Sequence, residues 1–345
     1  MTVPTTSTDP LRIGVLGAAR ITELALLSPA RALGVEVVAC AARDPRRARE
    51  FADRHGIPRV HTSYAELLAD PDVEAVYDPL PNGLHGHWNR RAAEAGKHVL
   101  AEKPSAANAD EARATLEAVR ASGVVLMEAF HYPYHPLWQR AVGIVRDGGV
   151  GEVRHVEATL SMPDPGADDP RWNPALAGGS TMDLGCYSLS ALRLLGALLG
   201  GPPRLTGASA RAREGAPGVD AELWVDVEYP SGVTGRGGSR MDAAELDFHL
   251  TVQGTAGTLH VPSYPLPHLD DSLVLRAADG TETVEHLGER SSYTYQLEVF
   301  RAAVREDAPV LTDAQDAVEQ MELVDAAYRL AGMEPHHPTP HGERV

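Results

Sequence analysis

Lysine is almost missing from this chain. Of the 31 Lys and Arg residues among 345, only Lys97 and Lys103 are lysine. Arginine serves for surface charge and carboxylate pairing but holds its proton at physiological pH, whereas a lysine in a dry site can release one. A retained lysine is therefore a candidate for proton chemistry. Cysteine is equally scarce: Cys40 and Cys186 lie far apart in apolar or tight contexts, which speaks against a structural disulfide and fits a reducing cytosol. Positive charge is in deficit, the net charge being −17, so a nucleic acid or an anionic membrane is a poor partner. No apolar run approaches the roughly 20 residues of a membrane span. The start, Met1-Thr2-Val3-Pro4-Thr5-Thr6-Ser7, lacks the basic residues and apolar stretch of a signal peptide, and a cytoplasmic location is expected.

What is present is chain enough for two domains with real cores. From Leu11 to about Glu128, short apolar runs alternate with helical stretches. The runs are Leu11–Leu16, Val35–Ala41, Val73–Tyr77, His98–Ala101 and Val124–Met127. Between them Pro45–His55, Leu84–Ala95 and Asn108–Ser122 show three- and four-residue apolar spacing, with Asp44 placed to cap the first and Gly56 to end it. This predicts a doubly wound parallel α/β domain over 1–128. After Glu128 the pattern changes. Helices around Leu137–Arg146 and Thr181–Leu199 accompany strand-like runs Val153–Ser161, Leu223–Tyr229, Leu246–Gln253 and Leu273–Ala277, cut by Gly, Pro and Asp turns. That predicts an α+β domain with a mainly antiparallel sheet over 129–345. Helices about Tyr293–Arg305 and Asp313–Ala331 close it, and the tail from Glu334, with His336, His337 and His341, reads as loose.

The first strand runs into Gly17-Ala18-Ala19-Arg20-Ile21, where a dinucleotide site needs a tight turn at a helix N-terminus. Gly17 supplies the turn, while Ala19 and Thr22 stand where the later glycines of G-x-G-x-x-G stand, so the fingerprint is degraded. The second strand ends Cys40-Ala41-Ala42-Arg43-Asp44, followed by Arg46 and Arg47. Arginine there suits a 2′-phosphate, and Arg43 with Arg47 favours NADP over NAD. Two alternatives stay open: Asp44 is a helix cap or a ribose ligand, and the arginines are phosphate ligands or a solvated helix face.

Four pieces line up along the chain: Gly14–Ile21; Leu80-Pro81-Asn82-Gly83-Leu84-His85; Glu102-Lys103-Pro104; and Gly178-Gly179-Ser180-Thr181-Met182-Asp183-Leu184-Gly185-Cys186-Tyr187. Together they resemble the Gfo/Idh/MocA oxidoreductases, nearest to the branch with glucose-fructose oxidoreductase, NADP-dependent D-xylose dehydrogenase and dimeric dihydrodiol dehydrogenase. The resemblance implies catalysis by Lys103, Tyr187 and Asp183, with a cis bond before Pro104. It implies cofactor contacts from Gly17, Ala19, Arg20 and Ile21, from Arg43 and Arg47, from Pro81, Asn82 and His85, and from Glu102, Lys103 and Trp172. Asp183 and Tyr187 share a helical face by their spacing, and Ser180 with Asp183 also reads as a capping box. A secondary alcohol needs a base for its hydroxyl proton as hydride leaves, and Tyr187 and Lys103 are expected to share that proton, with Asp183 positioning the hydroxyl or the lysine.

Two prolines in His131-Tyr132-Pro133-Tyr134-His135-Pro136 break the helix that an i, i+4 histidine pair would need, so no metal is expected. Glu128 ends the sixth strand near the site. The expected function is NADP-dependent hydride transfer between nicotinamide and a secondary alcohol or carbonyl of a sugar or vicinal diol, in a homodimer or homotetramer joined through the C-terminal sheet. Alternatives within the resemblance are an NAD-dependent glycosidase and a non-catalytic cofactor-sensing regulator.

Overall fold

The computed structural model describes residues 9–340. The first of two compact units holds a six-stranded parallel sheet of β1 (Arg12–Leu16), β2 (Glu36–Ala41), β3 (Arg59–His61), β4 (Ala75–Asp78), β5 (His98–Ala101) and β6 (Leu126–Glu128), in the order β3-β2-β1-β4-β5-β6. This is the doubly wound order, and its switch point at the carboxyl ends of β1 and β4 is where such sheets bind ligands. Apolar side chains fill both faces: Ile13, Val15, Ala39, Val76, Val99 and Leu100 are buried.

The connecting helices are α1 (Ser28–Leu33, led by a π turn at Glu23–Leu27), α2 (Pro45–His55), α3 (Tyr64–Ala69), α4 (Asn82–Glu94) and α5 (Ala109–Ser122). Local chemistry sets their ends. The Asp44 carboxylate accepts from the backbone N–H groups of Arg46 and Arg47, Pro45 occupies the first turn, and Gly56 closes α2 in the left-handed conformation. Such a cap stabilises by about 1 kcal/mol.

The second unit begins with α6 (Pro136–Arg146), β7 (Val153–Ser161) and α7 (Cys186–Leu195, led by a π turn at Thr181–Gly185). There follow β8 (Arg204–Arg213), β9 (Ala216–Glu228), β10 (Thr234–Arg240), β11 (Leu250–Gly254), β12 (Gly257–Val261), β13 (Ser272–Ala277) and β14 (Glu282–His286). The eight strands run β14-β13-β12-β11-β7-β10-β9-β8, antiparallel except for β7 with β10. Helix α7 covers β7 and β10 on one face. On the other, β9 turns out Glu222, Trp224, Asp226 and Glu228 in strict alternation.

Two helices end the described chain, α8 (Ser292–Glu306) and α9 (Ala314–Leu330). A single cut at 128 assigns them to the second domain. Instead Tyr293–Val318, which holds most of α8 and the start of α9, packs with the first unit, as do residues 338–340, while Glu319–His337 stays with the second. Backbone pairing is the reason: the Glu128 N–H donates to the Thr312 carbonyl, the Thr312 hydroxyl donates to the Glu128 carbonyl, and Met127 bridges to Asp313. Arg305 adds an ion pair to Glu74 at 2.9 Å. Nor is the tail loose throughout: His336 is buried edge-on to Tyr328, and the Thr339 N–H reaches the Gly83 carbonyl. His341 lies outside the described residues.

Candidate active site

At the end of β1 the chain turns on Gly17, whose φ of +106° disfavours any other residue. A Cβ there would also stand 3.1 Å from the Leu80 side chain. The Gly17 N–H donates to the Ala41 carbonyl, joining the ends of β1 and β2. Ala18, Ala19 and Ile21 are half-buried, Arg20 is exposed, and the helix opens at Ile21 and Thr22. This is a backbone cradle that a side chain would fill, and it fits a pyrophosphate at a helix N-terminus.

Just past β2, Arg43 and Arg47 are exposed and have no carboxylate within ion-pair distance among the described residues, whereas Arg46 between them reaches Glu50. Both guanidinium groups stay available to a phosphate. Asp44 caps α2 through one carboxylate oxygen, which accepts from the Arg46 and Arg47 N–H groups.

Lys103 and Lys97 separate cleanly. Lys97 donates its ammonium to the Asp70 and Val73 carbonyls at 2.8 and 2.7 Å, so it closes a turn. Lys103 is half-buried after β5, before a cis bond to Pro104. Three buried side chains hold the peptide beyond it. His85 Nδ1 meets the Pro104 carbonyl at 2.7 Å, Asn89 Nδ2 donates to the Ser105 carbonyl at 3.0 Å, and the Ser105 N–H donates to Glu128 Oε1 at 2.7 Å. His85 and Asn89 are one turn apart on α4, so one helical face grips two consecutive carbonyls.

The second ring nitrogen of His85 meets the Leu80 carbonyl at 2.5 Å. The buried His85 ring lies between two turns, and in its neutral form it carries a single N–H, so it donates to one of the two carbonyls at a time. Burial holds its pKa down to about 4, so the imidazole is neutral. Pro81 and Asn82, half-buried, open α4 beside it. Glu102 is engaged from the other side, Tyr77 donating its hydroxyl to Oε1 at 2.6 Å. Below this layer, fully buried Asp78 accepts from the Leu80 N–H, its other oxygen has no hydrogen-bond partner among the described residues, and burial drives its pKa well up.

In the second unit the π turn and α7 carry Asp183 and Tyr187. The capping-box reading fails: Ser180 is itself helical, makes no capping bond, and donates its hydroxyl to Ser239. The cap comes from β9, where buried Asp220 accepts from the Thr181 N–H and hydroxyl and from the Tyr328 hydroxyl. A Cβ on Gly179 would collide with the same carboxylate. Asp183 pairs with Arg171 at 3.4 Å. Trp172 is pinned as well, donating its indole N–H to Asp164 at 2.9 Å while Arg213 lies 3.9 Å over its ring and pairs with Asp164 at 3.0 Å.

Tyr187 is buried, and its hydroxyl lies 3.2 Å from His131 Nε2. His135 instead caps α6 through Nδ1, accepting from the Leu137 N–H, and its Nε2 faces the Arg290 carbonyl. Asn89, Asp220, Asp164, Arg213 and His131 were invisible as site residues in the sequence. Only the H-x-x-x-N spacing of His85 and Asn89 gives any signal there.

Comparison with known proteins agrees with this geometry. Residues 11–130 match the oxidoreductase family with an NAD-binding Rossmann fold, GFO_IDH_MocA, and residues 138–260 match the GFO/IDH/MocA C-terminal domain. The chain is 40% identical over 324 residues to a D-xylose 1-dehydrogenase (NADP(+)) of Haloferax volcanii, covering 93% of this chain and 97% of that one. It is 36% identical to the trans-1,2-dihydrobenzene-1,2-diol dehydrogenase of Bos taurus over 64% of each chain. Among solved structures, a 3-ketoreductase from Actinomadura kijaniata in complex with NADP and TDP-benzene superposes with a TM-score of 0.84 at 29% identity, covering 93% of this chain and 98% of that one.

Proposed function

The chain belongs to the Gfo/Idh/MocA oxidoreductase family, and from that premise we propose that it is an NADP-dependent dehydrogenase or reductase acting on a secondary alcohol or carbonyl of a sugar or vicinal diol. When bound, the nicotinamide supplies or accepts the hydride. The protein's part is to bind, orient and move a proton. Gly17, Ala19, Arg20 and Ile21 receive the pyrophosphate, and Arg43 with Arg47 takes the 2′-phosphate. Pro81, Asn82 and Glu102 shape the wall of the nucleotide site, and Trp172 forms a fixed wall in the second unit. Tyr187 exchanges the proton with the substrate oxygen, Lys103 supplies the cation that stabilises oxygen as its proton leaves, and Asp183 orients the substrate hydroxyl.

The observation that carries this reading is the hold on the peptide after Lys103, gripped by His85, Asn89 and Glu128. Three buried polar groups spent on two residues of backbone place one half-buried ammonium, which is how a reacting group is preorganised. The test is reduced-nicotinamide absorbance with NADP or NAD against aldoses, ketoses, deoxysugars, inositols and cyclic diols. Turnover with NADP and a sugar or diol is expected. Absence of both turnover and NADPH binding overturns the reading.

No helix among the described residues is long and apolar enough to cross a membrane. We place the protein in the cytoplasm as a homodimer or homotetramer joined through the second unit's sheet. Its outward face carries cross-strand pairs such as Arg236 with Asp226 and Arg204 with Glu228, which favours a polar, salt-sensitive contact. Light scattering at low and high salt reads that state directly.

A further inference from the structure

We propose that His131 is a positioning and relay residue for Tyr187, taking up the phenol's proton during turnover while Ser292 holds its other ring nitrogen. This rests on Tyr187 being the group that exchanges a proton with substrate. His131 Nε2 is 3.2 Å from the Tyr187 hydroxyl and Nδ1 is 2.8 Å from the Ser292 hydroxyl, with the two rings edge to face at 5.9 Å. All three residues are buried, so the chain Tyr187–His131–Ser292 has fixed members.

The choice of partner is informative. Buried tyrosines of this unit take different partners: Tyr132 meets the Ser190 hydroxyl at 2.9 Å, Tyr229 the Leu192 carbonyl at 2.8 Å and Tyr328 the Asp220 carboxylate at 2.8 Å. Tyr187 meets a histidine, the side chain whose ordinary charge change falls in the neutral range, so this partner can take the phenol's proton and return it.

The proton balance closes. In oxidation the Tyr187 O–H bond breaks as an N–H bond forms at His131 Nε2, leaving a phenolate and an imidazolium. The phenolate oxygen then takes the proton of the substrate hydroxyl as the C–H electron pair leaves with hydride to the oxidised nicotinamide nucleotide. Phenol is restored, the substrate is oxidised to a carbonyl, the nucleotide is reduced, and one proton remains on His131. Its Nδ1–H donates to the Ser292 hydroxyl, so the proton is held on the imidazolium. Reduction runs the same steps backward. The ionisable groups that face the pair include Tyr132 on its own segment and Asp183, paired with Arg171, one turn before Tyr187 on its own helix.

Two measurements test this. In histidine labelled with 15N, the His131 resonance is assigned by its loss in His131→Gln, and its titration is followed from about pH 5 to 9 with and without Tyr187→Phe. A midpoint that moves when the phenol is removed is expected. A resonance that behaves identically in both proteins overturns the proposal. This arm needs no substrate, so it stands even if no sugar in the panel turns over, the outcome that counts against the proposed function instead.

The second measurement is kinetic. His131→Gln can keep a hydrogen bond to the phenol but cannot carry the proton. Its kcat is expected to fall roughly 10- to 100-fold, with KM and NADPH binding little changed and a larger solvent deuterium isotope effect. A folded, NADPH-binding His131→Gln with unaltered kcat and isotope effect shows a structural contact only, and overturns the relay.

Discussion

Thr181 and Asp220 meet twice, the carboxylate accepting both the backbone N–H and the hydroxyl at 2.7 Å. One residue of β9 thereby fixes the first turn of the helical segment that carries Asp183 and Tyr187. The helix start needs such an acceptor because its N–H groups have no partner inside the helix. The Tyr328 hydroxyl at 2.8 Å adds a third donor to the same group.

Replacing that carboxylate should therefore cost stability and geometry together. Asp220→Ala leaves three buried donors unmatched and is expected to destabilise the fold by about 3 kcal/mol. Asp220→Asn keeps an acceptor and is expected to lose less. Urea unfolding followed by circular dichroism measures both, and equal stability of all three proteins would show that the cap is dispensable.

Acid should loosen the protein before its surface carboxylates titrate. His85 is neutral when folded because burial lowers its pKa to about 4 from 6.5. Between those values the unfolded chain binds a proton that the folded chain refuses. Stability is thus full above 6.5 and falls as pH drops toward 4, by up to about 3 kcal/mol. Asp78 acts in the opposite sense: its raised pKa means stability lost as pH rises above 3.8. Urea midpoints against pH should show a shallower acid slope in His85→Asn, and Asp78→Asn should be stabilised most at alkaline pH.

Nucleotide preference should sit in Arg43. Arg43→Asp removes a guanidinium and adds a carboxylate facing a 2′-phosphate, and the NADP-to-NAD ratio of kcat/KM is expected to drop about 10- to 100-fold. Steady-state rates with each nucleotide decide it. An unchanged ratio would return the arginines to a solvated helix face.

Lys103 should matter for turnover rather than for folding, since the peptide beyond it is held through its backbone by His85, Asn89 and Glu128. Lys103→Met is expected to lower kcat by about 100- to 10,000-fold while NADPH binding and the circular dichroism spectrum hold. Lys103→Arg should rescue poorly, because the broad planar guanidinium cannot stand where the compact ammonium does. Rescue by arginine would reduce the role of Lys103 to fixed charge.

The chain's own order of residues determined the local features. Alternating apolar runs and helical spacing, the Asp44 cap and the Gly17 turn each depend on neighbours within a few positions, and each was readable, whereas the cis bond before Pro104 was implied only by the family resemblance. Short or half-exposed strands were not: β3, β8, β10, β12 and β14 carry too many polar residues to stand out, because one face of each meets water or an edge. Only the tertiary structure decided what crosses long stretches of sequence. It set Asp220 rather than Ser180 as the cap, His131 as the partner of Tyr187, and Tyr293–Val318 as part of the first unit. The physical reason is that a buried polar group must find a partner wherever the fold supplies one, and that partner's position in the chain leaves no periodic trace.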